Sequence, residues 1–421
     1  MAYNSTKIGR FYARQQTNYE TPFASSDLIS PTAPYGDGTQ SEAFAVEAEV
    51  FMPPATREIF ERAAVKGGFY EIPPVSGSQH GAEFTISKPL IGLSSSVLSA
   101  DPTAHGDSLL LSSILGGSVS TNYSASAVDG ASSTTSHIDI KAGNIGDFSA
   151  GSAFMIGGEG GFIKTKNAAD IEPIIELKTA PAADETSAGS IVSYLTTGAA
   201  SSFTVVWRAK EDQTQMVLQS CVPTSATITL GPKDDYPKLE VTFLCNAMVS
   251  ETATQAITDY DYSYPVLPVP TSEASARMVF QTANGAAGAS ELDIEGLQIS
   301  ITQELVPQLS HNSTSGVADM LVTNRAVEVS FKGVLGAANP FDTTGKILTD
   351  ISNSSTKAIQ CQVGGTSGQA FMMLIPAPIQ TEVPTVEDMG GVFGLSFMFK
   401  PGNYGGTGAT VEDSDFRIAF L

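Results

Sequence analysis

The chain carries four histidines, His80, His105, His137 and His311, each in a separate turn-like stretch. None has a second donor at the spacing of a metal site, where ligands recur within a few residues of one element. His105 and Asp107 are the nearest imidazole–carboxylate pair, but Asp107 opens a helical pattern and reads as its N-cap. The run GGEGGF (residues 157–162) lacks the lysine and following helix of a phosphate-cradling loop, so it reads as a hairpin turn. DYDY (residues 259–262) lacks the glycine and closing glutamate of a calcium loop. No Gly-x-Ser-x-Gly elbow anchors a serine nucleophile. Cys221 and Cys245 fall inside strand patterns and read, with Cys361, as small buried thiols. These residues point to no enzyme, no metal and no cofactor.

The elements that would position any site are strands. In QSCVPTSATITL, Ala226, Ile228 and Leu230 alternate with Thr227 and Thr229. In YPKLEVTFLC, Leu239, Val241, Phe243 and Cys245 alternate with Glu240 and Thr242. The pattern returns later: Leu297, Ile299 and Ile301 alternate with polar residues, then Val327, Val329 and Phe331 do the same. Alternation with period two marks strands with one buried and one wet face. Two such pairs predict a duplicated β-domain. Glu240, Glu328 and Lys332 fall on the wet parity and become candidate sheet-face or interface residues.

Bulk properties agree. A chain of 421 residues exceeds one ordinary core. Only 16% of residues are charged, and Gly, Ser, Thr and Ala abound, as in short strands joined by tight turns. The net charge of -22 opposes tight nucleic-acid binding, which needs Lys and Arg on phosphates. It is compatible with a surface along which DNA slides without sticking. No apolar run approaches the roughly 18 residues of a membrane helix. The polar N-terminus carries no secretory pattern, which predicts folding in a cytoplasm.

Along the chain, residues 1–43 read as an extended arm, with Phe11, Tyr12, Tyr19 and Phe23 as its candidate contacts. Residues 44–135 and 197–250 read as the first β-domain, interrupted by a small barrel-like insert at 136–196. A connector at 251–271 leads to the second domain, 272–421. Short helices are expected at 55–68, at 107–117 and at 339–353. The apolar C-terminus, DFRIAFL, predicts a strand tucked into a sheet. About twenty residues, Glu304 to Thr323, separate the second pair of repeated strands. Such an excursion suits an intersubunit contact arm, with Val306, Leu309, His311 and Asn312 as candidate stacking residues.

Several segments together resemble a known family. They are RFYARQQTNYETPFASSD (10–27), FAVEAEVFMPP (44–54), GDSLLLSSILGG (106–117), SCVPTSATITL with YPKLEVTFLCNA (220–230, 236–247) and LIPAPIQTEVPTVEDMGGVFGLSFMFKPG (374–402). The chain is similar to the major tail-tube proteins of long-tailed, siphovirus-like bacteriophages, in particular the larger type with a duplicated tube domain. The resemblance implies two tandem β-sandwich tube domains flanked by short helices. It implies homotrimeric rings with pseudo-sixfold symmetry, stacked into a tube around a tape-measure protein and closed by tail-tip and terminator proteins. Double-stranded DNA would pass transiently through the channel, in a virion tail assembled in the host cytoplasm. The alternative is another β-rich virion protein, such as a capsid decoration or baseplate component.

Overall fold

The computed structural model describes residues 8–24, 43–51, 57–60, 75–79, 82–90, 92–93, 106–121, 128–130, 132–182, 185, 189–209, 214–230, 237–252, 276–282, 290–292, 294–313, 316–334, 357–366, 368–382, 385–388, 393–404 and 410–421. The expected helix at 339–353, and nearly all of the expected connector, lie outside these residues. The described chain is mainly β. Its first strands are β1 (Ile8–Gln15), β2 (Ala43–Phe51), β3 (Arg57–Phe60), β4 (Val75–Gln79) and β5 (Ala82–Pro89), followed by α1 (Gly106–Leu115) and β6 (Gly116–Thr121). Then come β7 (Ile138–Asp139), β8 (Ala153–Ile156), β9 (Glu159–Lys166), β10 (Asp170–Pro173), β11 (Ser190–Leu195) and β12 (Phe203–Ala209). The repeated motif opens with β13 (Thr214–Leu230), β14 (Lys238–Cys245) and β15 (Ala247–Thr252). The second half holds β16 (Ala276–Thr282), β17 (Ser290–Leu292), β18 (Ile294–Leu309), β19 (Val317–Val334) and β20 (Lys357–Val363). It closes with β21 (Phe371–Ile375), β22 (Pro378–Gln380), β23 (Thr385–Asp388), β24 (Phe393–Pro401) and β25 (Arg417–Phe420).

Within the expected extended arm, Ile8–Gln15 is a strand paired on both sides. One expectation changes here. Arg57–Phe60, expected to be helical, pairs as a strand with Val75–Gln79. The helix at 106–115 forms as the apolar run and its glycine stop predict.

Antiparallel pairings run from β12 to β1, β2, β5, β14 and β13, and β13 returns to β12. They close a six-stranded ring, which leaves those strands no free edge. Within the insert, the described strands form a four-stranded antiparallel sheet in the order β7-β10-β9-β8. β11, also expected within the insert, lies between β25 and β6 in a separate seven-stranded sheet.

β13 is long because its two ends have different neighbours. Thr214–Gln219 pair with β15, while Ser225–Leu230 pair with β18. Ser220, at a φ of 53°, and a register shift at Pro223/Ser225 mark the change. The two copies of the repeated motif therefore lie side by side as β14-β13-β18-β19. Ile228 faces Ile299, Leu239 faces Ile228, and Val329 faces Ile299. A local two-fold through the Ile228–Ile299 pair relates the copies and matches Leu239 with Val329.

Beyond β19 the sheet continues into β24, with β22 and β23 at its margin. The seven-stranded sheet runs β17-β16-β20-β21-β25-β11-β6, so strands of both halves share both large sheets. One apolar cluster joins them, with Ile228, Val241, Ile299, Val329 and Phe397 from one sheet and Ile359, Met373 and Ile418 from the other. Leu110, Leu111, Ile114 and Leu115 of α1 complete it. The C-terminal strand is buried between β21 and β11, as its apolar composition predicts.

Candidate interaction surface

The segment expected to be a long loop is a continuation of the sheet. The β18–β19 ladder runs from Ile294–Gly333 out to Leu309–Val317, with His311 and Asn312 in a turn beyond it. Register shifts at Glu304/Leu305 and Gln308/Leu309 place extra residues on β19. Such bulges twist a hairpin and re-aim its side chains. Local pairing sustains this hairpin, and turn chemistry closes it. Ser310 N–H donates to Gly316 O at 3.0 Å, Ser313 Oγ donates to Val317 O at 2.7 Å, and Gly316 takes a φ of 81° that favours glycine.

The hairpin base is held by polar contacts. Gln303 and Arg325 oppose each other across the ladder. Gln303 Nε2 donates to Pro223 O, and Arg325 Nη1 donates to Thr196 O at 2.8 Å. A Cβ at Gly116 would lie 2.7 Å from Arg325 Nη1, so the guanidinium needs glycine there. Burial lowers the pKa of Arg325. Above the base, Leu305, Val317 and Met320 pack on Tyr19 and Val222. Ser220 Oγ donates to Tyr19 O at 2.5 Å, which fixes the chain beneath the hairpin.

The outer part is different. Val306 and Leu321 form a cross-strand pair, 48% and 49% exposed, and Leu309 near the tip is 74% exposed. Of four exposed large apolar side chains among the described residues, three belong to this hairpin. His311 and Asn312 are exposed in the turn. The four candidate stacking residues are thus brought together on one projecting element.

The candidate arm contacts are placed elsewhere. Phe11 and Tyr12 lie on β1, in register with Trp207 and Val206. Tyr12 is buried with Val206 and Val217, and Phe23 packs on that cluster. Phe23 N–H donates to Thr204 Oγ1 at 2.9 Å, and the Arg14 guanidinium lies 3.9 Å from the Phe23 ring centre. Tyr19 meets the hairpin. Tyr12, Tyr19 and Phe23 all pack within their own chain.

Glu240, Glu328 and Lys332 share the uncovered face of the central sheet. One transverse row reads Ser87, Glu240, Thr227, Ser300 and Glu328 across five strands. Lys400 extends it, with Nζ 3.4 Å from Glu328 Oε2. Thr85 and Thr242 hydroxyls meet at 3.0 Å on the same face. Both signs of charge stand there, with Glu83, Glu240, Glu304 and Glu328 beside Lys238, Lys332 and Lys400. The face is rich in hydroxyls and mixes lysines with carboxylates, although the chain as a whole carries -22.

Other features are structural. Gly157 and Gly158, at φ 59° and 83°, form the two-residue turn between β8 and β9 that the GGEGGF run predicts. Gln362 Oε1 accepts from Gly160 N–H at 2.9 Å, and Gln360 Nε2 donates to Gly160 O at 2.9 Å. Asp107 sits in the first turn of α1, where its carboxylate pairs with Lys88 inside the core. Lys88 Nζ also donates to Pro89 O at 3.0 Å, and burial lowers its pKa. Parity could have revealed Lys88, since Phe84, Ile86 and Leu90 share its inward side. His137 lies 3.2 Å from Glu172 at the surface, while His80 and His105 fall outside the described residues. Among the described residues, no three His, Cys, Asp or Glu side chains cluster to hold a metal. No family model matches the chain, and no curated protein is similar to it in sequence.

Proposed function

We propose that this chain is a structural virion protein, a tail-tube subunit that assembles with copies of itself into stacked rings around a channel. The observation that carries this reading is the β18–β19 hairpin, pinned at its base and apolar at its exposed outer part. A projecting element with Val306, Leu309 and Leu321 uncovered is suited to a partner that covers them. Covering each contributes about 1 kcal/mol at half the value of full side-chain burial. The adjacent repeated hairpins give one chain two related sheet segments, so a trimeric ring would present six of them. A hydroxyl-rich face on which lysines sit among carboxylates is suited to a channel wall that does not hold DNA tightly.

Light scattering on the purified protein tests self-association. A mass three times the 43.9 kDa chain, or a larger stacked multiple, supports the ring reading. A monomer at all concentrations, with or without tail-tip proteins as initiators, counts against it.

A further inference from the structure

Cys221 and Cys245 meet across the β13–β14 ladder. Val222 pairs with Leu244, so the two cysteines occupy the adjoining rung, and their Sγ atoms lie 3.0 Å apart. Both are fully buried. Directly opposed residues on antiparallel strands have Cα atoms about 4.5–5.5 Å apart, within the span of a disulfide. The third cysteine, Cys361, lies on β20 opposite Met278 and Met373, with no thiol beside it.

We propose that Cys221 and Cys245 form an intrachain disulfide when the chain folds in an oxidising medium. The oxidant is a small-molecule disulfide such as oxidised glutathione. One protein thiolate attacks it and releases one small thiol, and the second protein thiol then displaces the other. Two protein S–H bonds and one small-molecule S–S bond are replaced by one protein S–S bond and two small thiols. Protons and electrons balance.

The position gives the bond a consequence. Cys221 follows Ser220, where β13 leaves β12 and β15 for β14 and β18, and it also pairs with Phe203 of β12. A bond to Cys245 fixes the junction between the six-stranded ring and the repeated sheet. Burial holds the Cys245 thiol protonated, so attack from water on the folded chain is slow. Exchange therefore happens before these strands close or when they open.

The test is refolding of the full chain with oxidised and reduced glutathione, beside a sample kept in excess reductant. Both are then denatured, alkylated with iodoacetamide and weighed intact. The expected result is one alkylated cysteine after oxidation and three after reduction, with a proteolytic fragment joining residues 221 and 245. Three alkylated cysteines in both samples would overturn the proposal. So would a bond that joins two chains or uses Cys361. A Cys361→Ser chain should take no label after oxidation, and any label on it counts the same way.

Discussion

Val306 stands directly across the β18–β19 ladder from Leu321, and both side chains are about half exposed. On the other face of the same hairpin, Leu305 and Met320 rest on Tyr19. One face thus serves the fold while the other is left uncovered, and the two can be perturbed separately.

Replacing Val306 or Leu309 with Asp should change unfolding stability by less than about 0.5 kcal/mol, as for other surface sites. Self-association should weaken by about tenfold, equivalent to about 1.4 kcal/mol. Thermal melts and sedimentation velocity separate the two effects. Deleting residues 306–320 should weaken stacking of rings, and should also lower unfolding stability because it removes Val317 and Met320 from Tyr19. Tubes of normal length from the deleted chain would contradict the assembly role.

The Lys88–Asp107 pair is fully desolvated, so breaking it leaves one charge without compensation. Asp107→Ala should cost about 3–5 kcal/mol in urea unfolding. A Lys88→Met, Asp107→Leu double variant should recover most of that loss, because the two sites are coupled.

Gly160 is enclosed by Met372 and Gln362, and an added Cβ would collide with the Met372 sulfur. Gly160→Ala should cost about 1–3 kcal/mol by overpacking. Gly146 has open space around its Cβ position, so Gly146→Ala should be close to neutral. Denaturant midpoints of the two variants provide the comparison.

Burial pushes the Cys361 thiol up to about 12. An unfolded thiol ionises near pH 8.5, so above that pH the unfolded state loses its proton first. The contribution of Cys361 is therefore fully present below about pH 8.5 and is lost as pH rises toward 12, by about 1.4 kcal/mol per unit. Urea midpoints at pH 7.5 and about pH 10 should differ more for the natural chain than for Cys361→Ala.

Much of the central sheet was legible because its residues alternate cleanly. Ile228, Val241, Ile299 and Val329 announce their strands and their buried face. The helix at 106–115 followed from an apolar run ending in Gly116 and Gly117. Arg57–Phe60 misled because Ile59, Phe60, Ala63 and Ala64 satisfy helical spacing, and four residues cannot separate the two periods. The outer hairpin was hidden for another reason. Both of its faces are partly exposed, so Gln308, Asp319 and Thr323 show no hydrophobic alternation, and Pro307 weakens the strand pattern further. The six-stranded ring depends on pairings between residues about 190 apart, such as Tyr12 with Val206, which no local periodicity encodes. The grouping of lysines with carboxylates on the outward face was equally invisible, since it depends on which strands lie side by side.

Negative-stain electron microscopy of the purified protein tests the central claim most directly, with class averages viewed down the assembly axis. The account predicts hollow rings or tubes of threefold or pseudo-sixfold symmetry, absent or unstacked when Leu309 is replaced by Asp. Solid particles without a channel, or rings whose stacking is indifferent to that substitution, would contradict it.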